Sequence, residues 1–192
     1  MSRNQPKEAA QTVDYRLSMT FLRVFARMAK PVCWSSNVDI KNFGRMDERF
    51  YRGAKPRKNG LEGLARLGIG TIIDLREQPD RREQLSVEAI GMRYINIPMN
   101  DRDCPGSEPI KHFLRIVNDP ATGKFFVHCA GGRHRTGVIG AVYRLQFNQW
   151  NYEQAYREMK SFKFYTRWGH GALKKFVEDY WRTLSTNRHG LS

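Results

Sequence analysis

The sequence predicts an α/β fold whose central, mostly parallel sheet is flanked by helices, and three observations carry that prediction. Short strand-like runs near 49–52, 70–75, 92–97 and 124–127 alternate with stretches of helical periodicity. The run Gly70-Thr71-Ile72-Ile73-Asp74-Leu75 is β-branched and apolar without alternation, the pattern of a central strand covered on both faces. A chain of 192 residues with 40% hydrophobic content fills one ordinary domain and lacks material for a second.

Taken in order, residues 1–14 are polar, hold no apolar run and are expected to be disordered. From 16 to 30, Leu17, Phe21, Leu22, Val24, Phe25 and Met28 are interrupted by Arg16, Arg23, Arg27 and Lys30. Those cations share one side of a helical wheel, which predicts a basic amphipathic N-terminal helix. Such a helix suits an anionic membrane surface, and suits docking on the domain or on another subunit as well. It is too short and too charged to span a bilayer, and Arg23 and Arg27 break the apolar run a signal peptide needs. Pro31 ends it, and 34–42 reads as a connector without chemistry of its own. The expected organisation is a tail and amphipathic segment over 1–42, one domain over 43–185, and a tail over 186–192.

Within the domain, 49–52 reads as the first strand, followed by the turn Gly53-Ala54-Lys55-Pro56. Asn59 is expected to cap a short helix, with Glu62 as capping-box partner and Gly68 as the stop. After the strand 70–75, Arg76 stands at the carboxyl end, where open α/β sheets bind ligands; an ion pair with Asp74 or Glu77 is its simpler role. Residues 78–90 form a polar helix or loop closed by Gly91, and 92–97 alternate as another strand. A polar loop over 98–109 ends at Pro109, suited to a first helical turn. Helices follow at 110–119, 138–147 and 151–162, the last with Tyr152, Ala155, Tyr156 and Met159 on one face.

The stretch from His128 to Gly137 joins the strand at 124–127 to the helix at 138–147. Small residues at Ala130, Gly131 and Gly132 allow the backbone to curl until successive N–H groups point inward, an anion nest at a helix N-terminus. Arg135 adds a planar fork of donors matched to two phosphoryl oxygens. The same field lowers the pKa of Cys129 below the ordinary thiol value of about 8.5. A thiolate beneath a bound phosphoryl group is a nucleophile aimed at phosphorus, and Thr136 is placed to donate its hydroxyl to the sulfur and ease its departure. His128 is expected to order the loop rather than to enter the chemistry.

The pattern His128-Cys129-x-x-Gly132-x-x-Arg135-Thr136-Gly137 resembles the signature of the cysteine-dependent protein tyrosine and dual-specificity phosphatase superfamily. The wider run from Gly131 to Gly137 is similar to the atypical dual-specificity phosphatases of bacteria, fungi and plants, some of which act on inositol phosphates. The resemblance extends over Phe50 to Pro56, Thr71 to Arg76 and the strand ending at Pro98, hence over roughly residues 45–160. It implies a phosphomonoester hydrolase working through a phosphocysteine, without metal or other cofactor. Ala130, Gly131, Gly132, Arg133 and His134 then line the substrate site, with Arg133 and His134 favouring a highly anionic substrate. Hydrolysis of this kind needs a carboxylic acid to protonate the leaving oxygen and later to activate water. Asp101 and Asp103 both lie in the loop where related phosphatases carry that acid; Asp101, third after Pro98 as in several relatives, is the favoured candidate.

Net charge is +14, from 33 Lys and Arg against 19 Asp and Glu, a balance that draws polyanions. Phosphorylated proteins and inositol phosphates are the expected substrates, and an anionic membrane is a further candidate partner. Lys160, Lys163, Arg167, His170, Lys174 and Lys175 interleave with Phe162, Phe164, Tyr165 and Trp168. That mixture resembles a nucleic-acid platform in composition, but helix packing with a solvated face explains it more simply, so nucleic acid is not an expected partner. Cys33, Cys104 and Cys129 have no disulfide-framework or metal spacing, which predicts a reduced, cytoplasmic chain, with attachment to the inner face of a membrane as the variant that the amphipathic segment allows. A disulfide between Cys104 and Cys129 under oxidation is the disfavoured alternative to two free thiols. Two readings of other classes stand beside the enzyme: a phosphate-binding pseudophosphatase, and a membrane- or RNA-tethered regulatory module.

Overall fold

The computed structural model describes residues 38–167 and 169–189. The amphipathic segment expected at 16–30 and the tail before it lie outside the described residues. Five strands form one sheet: β1 (Gly44–Arg45), β2 (Phe50–Ala54), β3 (Ile69–Asp74), β4 (Arg93–Asn96) and β5 (Lys124–Cys129), in the order β1-β2-β5-β3-β4. Only the β1/β2 pair is antiparallel. Helices α1 (Lys58–Arg66), α2 (Arg81–Glu88), α3 (Ser107–Asn118), α4 (Arg135–Phe147), α5 (Tyr152–Ser161) and α6 (Gly171–His189) cover both faces.

Alternation along the strands divides the core into two layers. Phe125 and Val127 of β5 face the side of Val138, Ile139 and Val142, together with Phe50 and Ile73. Phe126 faces the opposite side, with Tyr51, Ile72, Leu61, Leu64 and Val87. Phe50, Ile72, Ile73, Phe125, Phe126 and Val127 are fully buried. That is why β3 and β5 read as apolar runs, with their carboxyl ends side by side where the chain turns out of the sheet.

Three local expectations change. Helix α1 starts at Lys58 with Arg57 at its N-cap and no side-chain cap, so the Asn59–Glu62 capping box does not form. Packing sets that start: a Cβ on Gly60 would lie 2.8 Å from Ile40, and Leu61 and Leu64 are buried. Capping does operate at α2, where the Asp80 carboxylate accepts from the Arg82 and Glu83 amides at 3.1 Å, and at α5, where Asn151 and Gln154 form a reciprocal box. The connector before residue 43 contributes to the core through Ile40. The last helix runs on to His189, because Leu173, Val177, Tyr180 and Leu184 keep a helical spacing against α4.

Candidate active site

Sheet pairing aims the loop between β5 and α4. Ala54 is in register with Cys129, and the Leu75 amide donates to the His128 carbonyl at 2.9 Å, so the strand is held on both sides up to the cysteine. Gly132 then takes a φ of +64°, and a Cβ there would lie 2.3 Å from the Gly53 carbonyl carbon. No other residue type fits that approach. The Lys55 amide donates to the Ala130 carbonyl at 3.3 Å, fastening the start of the loop to the turn after β2.

Cys129 is 4% exposed. Burial alone would push its thiol pKa up; the Thr136 hydroxyl and amide, the Arg135 charge and the Arg133 amide outweigh it, and the net shift is downward. Thr136 is buried, and its hydroxyl, without another partner among the described residues, acts on the Cys129 sulfur to lower its pKa. Arg135 donates from Nη1 to the Met99 carbonyl at 3.2 Å, while its Nε is buried without a partner among the described residues. A guanidinium tied at one end and unsatisfied at another is suited to receive an anion.

Arg133 and His134 do different things. The Arg133 guanidinium lies 5.6 Å from the Tyr165 ring centroid, and among the described residues it makes no ion pair. His134 stacks on His170 with centroids 3.5 Å apart and meets the Tyr165 ring edge-on at 4.3 Å. Burial, with the His170 and Arg133 charges, lowers its pKa to about 4. His134 is therefore neutral near pH 7, and of the pair only Arg133 adds charge.

Asp101 and Asp103 are both exposed in the loop between β4 and α3. The Asn100 side chain organises that loop, accepting from the Arg102 and Asp103 amides at 2.9 and 3.0 Å and donating to Glu77 at 2.9 Å. Asp101 is the one whose charge is felt at His134. Cys104 in the same loop is an exposed free thiol, and Cys129 is free as well.

Behind the loop lies a cluster of buried charge that sequence reasoning identified only in part. The His128 ring is fully buried, with Nε2 at 3.0 Å from Glu83 Oε1 and Nδ1 at 3.8 Å from Asp74 Oδ1. Arg76 grips Asp74 at 2.6 Å, reaches Asp80 at 3.4 Å and pairs with Glu83, and Tyr94 donates to Asp74 at 2.7 Å. Lys55 closes the cluster on Asp80. Arg76 thus takes the structural role with Asp74, and Glu83 takes the place Glu77 was expected to fill. Asp74, Glu83 and His128 have the composition of a metal site, with ligand atoms within 4.8 Å of one another, yet Arg76 already occupies both carboxylates. Glu83 gave no sequence signal, being one acid among several in a polar helix.

The basic-aromatic segment after α5 wraps the other side of the loop. Phe164 and His170 are buried, Phe164 lies 5.3 Å from the His134 ring, and the Asn42 amide bridges the Gly132 carbonyl at 2.7 Å and the Phe162 carbonyl at 2.9 Å. Lys160 and Lys174 lie 5.0 and 5.2 Å from the Tyr156 ring centroid. The side chain of Trp168 is outside the described residues. Among those residues no helix is long and apolar enough to cross a membrane.

Known proteins match this arrangement. Over 116 residues the chain is 30% identical to a rice (Oryza sativa subsp. japonica) protein named probable NAD kinase 2, chloroplastic, a match covering 57% of this chain and 12% of that protein. It is 26% identical over 128 residues to the dual specificity protein phosphatase TpbA of Pseudomonas aeruginosa, covering 66% of this chain and 57% of TpbA. The matches therefore span less than two thirds of these relatives' lengths. The crystal structure of the core catalytic domain of the PP-IP phosphatase SIW14 from S. cerevisiae, in complex with citrate, superposes with a TM-score of 0.65 at 25% identity, covering 78% of this chain and 94% of that one. The model of the family described as DSP-PTPase phosphatase fused to NAD+ kinase matches residues 22–175, and the chain belongs to that family.

Proposed function

We propose that this chain hydrolyses phosphate monoesters through a phosphocysteine. The observation that carries the reading is Cys129: a thiol this deeply buried should hold its proton, yet its surroundings move its pKa down. The thiolate attacks phosphorus as the ester P–O bond breaks, and Asp101 protonates the departing oxygen. The loop amides and Arg135 hold the equatorial oxygens while charge redistributes. Water then adds to phosphorus, Asp101 as carboxylate takes its proton, the P–S bond breaks and inorganic phosphate leaves, with Thr136 stabilising the returning thiolate. Asp101 is favoured over Asp103 because its charge reaches His134 in the loop.

The substrate is a phosphoprotein or an inositol phosphate, the two classes that the names of TpbA and SIW14 indicate for those proteins. Arg133, on the loop itself, has no ion-pair partner among the described residues, and its uncommitted charge supports the more highly anionic inositol phosphates. Phosphate release across phosphotyrosine, phosphoserine, phosphoinositide and inositol polyphosphate compounds tests both points, with Cys129→Ser as control. The expected result is turnover by wild type, lost by at least about 10³-fold in Cys129→Ser, with inositol polyphosphates preferred. Wild type that folds and releases phosphate from none of them would remove the catalytic reading and leave a phosphate-binding module.

A further inference from the structure

Arg52 is a buried charge that the proposed reaction leaves unused. It is 1% exposed, enters from β2, donates from Nη2 to the Gly132 carbonyl at 2.7 Å and lies 4.1 Å from the Phe162 ring centroid. Its Nε is buried and has no partner among the described residues. Among the described residues no carboxylate comes within ion-pair distance of it, and Glu158, the carboxylate it feels most, is held by Arg144 at 2.7 Å. Burial lowers its pKa to about 10, so it stays charged at neutral pH. A buried cation without its own counter-ion is costly, and an arriving anion removes that cost.

Three glycines leave room, one for this charge, one for the ring over it and one for the loop beside it. A Cβ on Gly140 would lie 3.3 Å from Nη1, one on Gly44 would strike the Phe162 ring at 2.3 Å, and one on Gly132 would strike the β2 backbone at 2.3 Å. The Gly132 carbonyl is held from a second direction by Asn42. In a planar trans peptide the N–H points opposite to the C=O. With its carbonyl drawn to Arg52 and Asn42, the 132–133 peptide turns the Arg133 amide away from them, and that amide is one of the two whose hydrogen bonds lower the Cys129 pKa.

We propose that Arg52 is a positioning residue of the phosphate loop: it anchors the Gly132 carbonyl so that the Arg133 amide faces Cys129, and it supplies a positive charge answered by the thiolate or a bound phosphoryl group. This inference rests on the phosphatase reading. Arg135 acts on the sulfur by its charge and Arg133 by its amide, while the charges that Arg52 itself feels are Glu158, Cys129 and Arg144.

The test is the pH dependence of Cys129 alkylation by iodoacetamide in the full chain, followed on the Cys129 peptide by mass spectrometry, in wild type, Arg52→Met and Arg52→Lys. The midpoint in Arg52→Met is expected about one unit above wild type, with most of the shift recovered in Arg52→Lys. Inorganic phosphate, read by its protection of Cys129, should bind Arg52→Met about tenfold more weakly. An arginine that only packs would lower the melting temperature and leave the midpoint in place, and that result overturns the proposal. If Arg52→Met does not fold, Arg52→Gln removes the charge while keeping a donor at that position: a raised midpoint supports the proposal, and an unchanged one overturns it. Alkylation needs no turnover, so absence of phosphate release by wild type defeats the enzymatic reading separately from this one.

Discussion

Two charge clusters with buried centres flank the carboxyl end of β5, and they are built on opposite plans. On the α2 side, Asp74, Asp80 and Glu83 meet Arg76, Lys55 and His128, so each acid has a basic partner. On the α4 side, Arg52 and Arg135 each leave an Nε buried without a partner, and among the described residues neither has a carboxylate in ion-pair contact. A closed set of pairs fixes geometry but has no capacity for another charge. An open set of cations is unfavourable until an anion arrives, which is what a phosphate site needs. Buried charge alone therefore does not mark the site; the imbalance does.

The largest expected effect lies at the open side. Asp101 is exposed and its carboxylate makes no hydrogen bond among the described residues, so Asp101→Asn should fold as wild type does and lose about 10²- to 10⁴-fold in kcat. Asp103→Asn should change kcat by only a few-fold. Steady-state kinetics on one phosphate ester, run beside urea unfolding, checks both. If Asp103→Asn shows the large loss instead, the acid has been assigned to the wrong side of Arg102.

The closed side should give the opposite dissociation. Glu83→Gln leaves Arg76 and His128 short of one buried negative charge, and a cost of about 3 kcal/mol is expected, the lower end of the range for breaking a buried pair. The urea midpoint should fall without a matching change in the alkylation midpoint of Cys129, because Glu83 makes no contact with the sulfur or with the amides that serve it. A shift in the thiol equal to that of Arg52→Met would mean that the two clusters are one electrostatic unit.

What could be read without coordinates follows the same division. The loop from Cys129 to Gly137 is contiguous, and its small residues, arginine and threonine act on near neighbours, so the turn from β5 into α4 was legible from spacing. Strand β3 was legible because burial on both faces leaves it continuously apolar. Arg52 appeared only as the end of the first strand and within a resemblance, since its burial comes from Phe162 and Gly140, 110 and 88 positions away in the chain. Asn42 was assigned to a connector for the same reason: both of its acceptors, Gly132 and Phe162, are distant. The expected cap at Asn59 failed because an Asn with Glu three residues later is a local pattern, and packing of Gly60 on Ile40 decided where α1 begins. Between 160 and 175, cations so densely interleave the aromatic residues that the apolar period of α6 emerges only beyond Leu173.

The smallest effect should come from His134, which lies between the phosphate loop and the segment after α5 and tests whether imidazole charge belongs to the open cluster at all. Its pKa is lowered to about 4 in the folded chain, first by burial and then by the His170 and Arg133 charges, against about 6.5 when unfolded. Between those values the unfolded chain binds a proton that the folded chain does not, so stability rises with pH across this window. The contribution is fully present above about pH 6.5 and is lost as pH falls toward 4, where both states become protonated. In His134→Gln that part of the pH dependence should disappear, leaving a flatter melting-temperature profile between pH 4.5 and 7, read by calorimetry at matched ionic strength in buffers of about 0.15 M. Because the imidazole is neutral where the enzyme would work, the same variant should change kcat/KM for an inositol polyphosphate no more than for a phosphotyrosine peptide. Selective loss of the polyanion would instead place a charged His134 among the cations that receive the substrate.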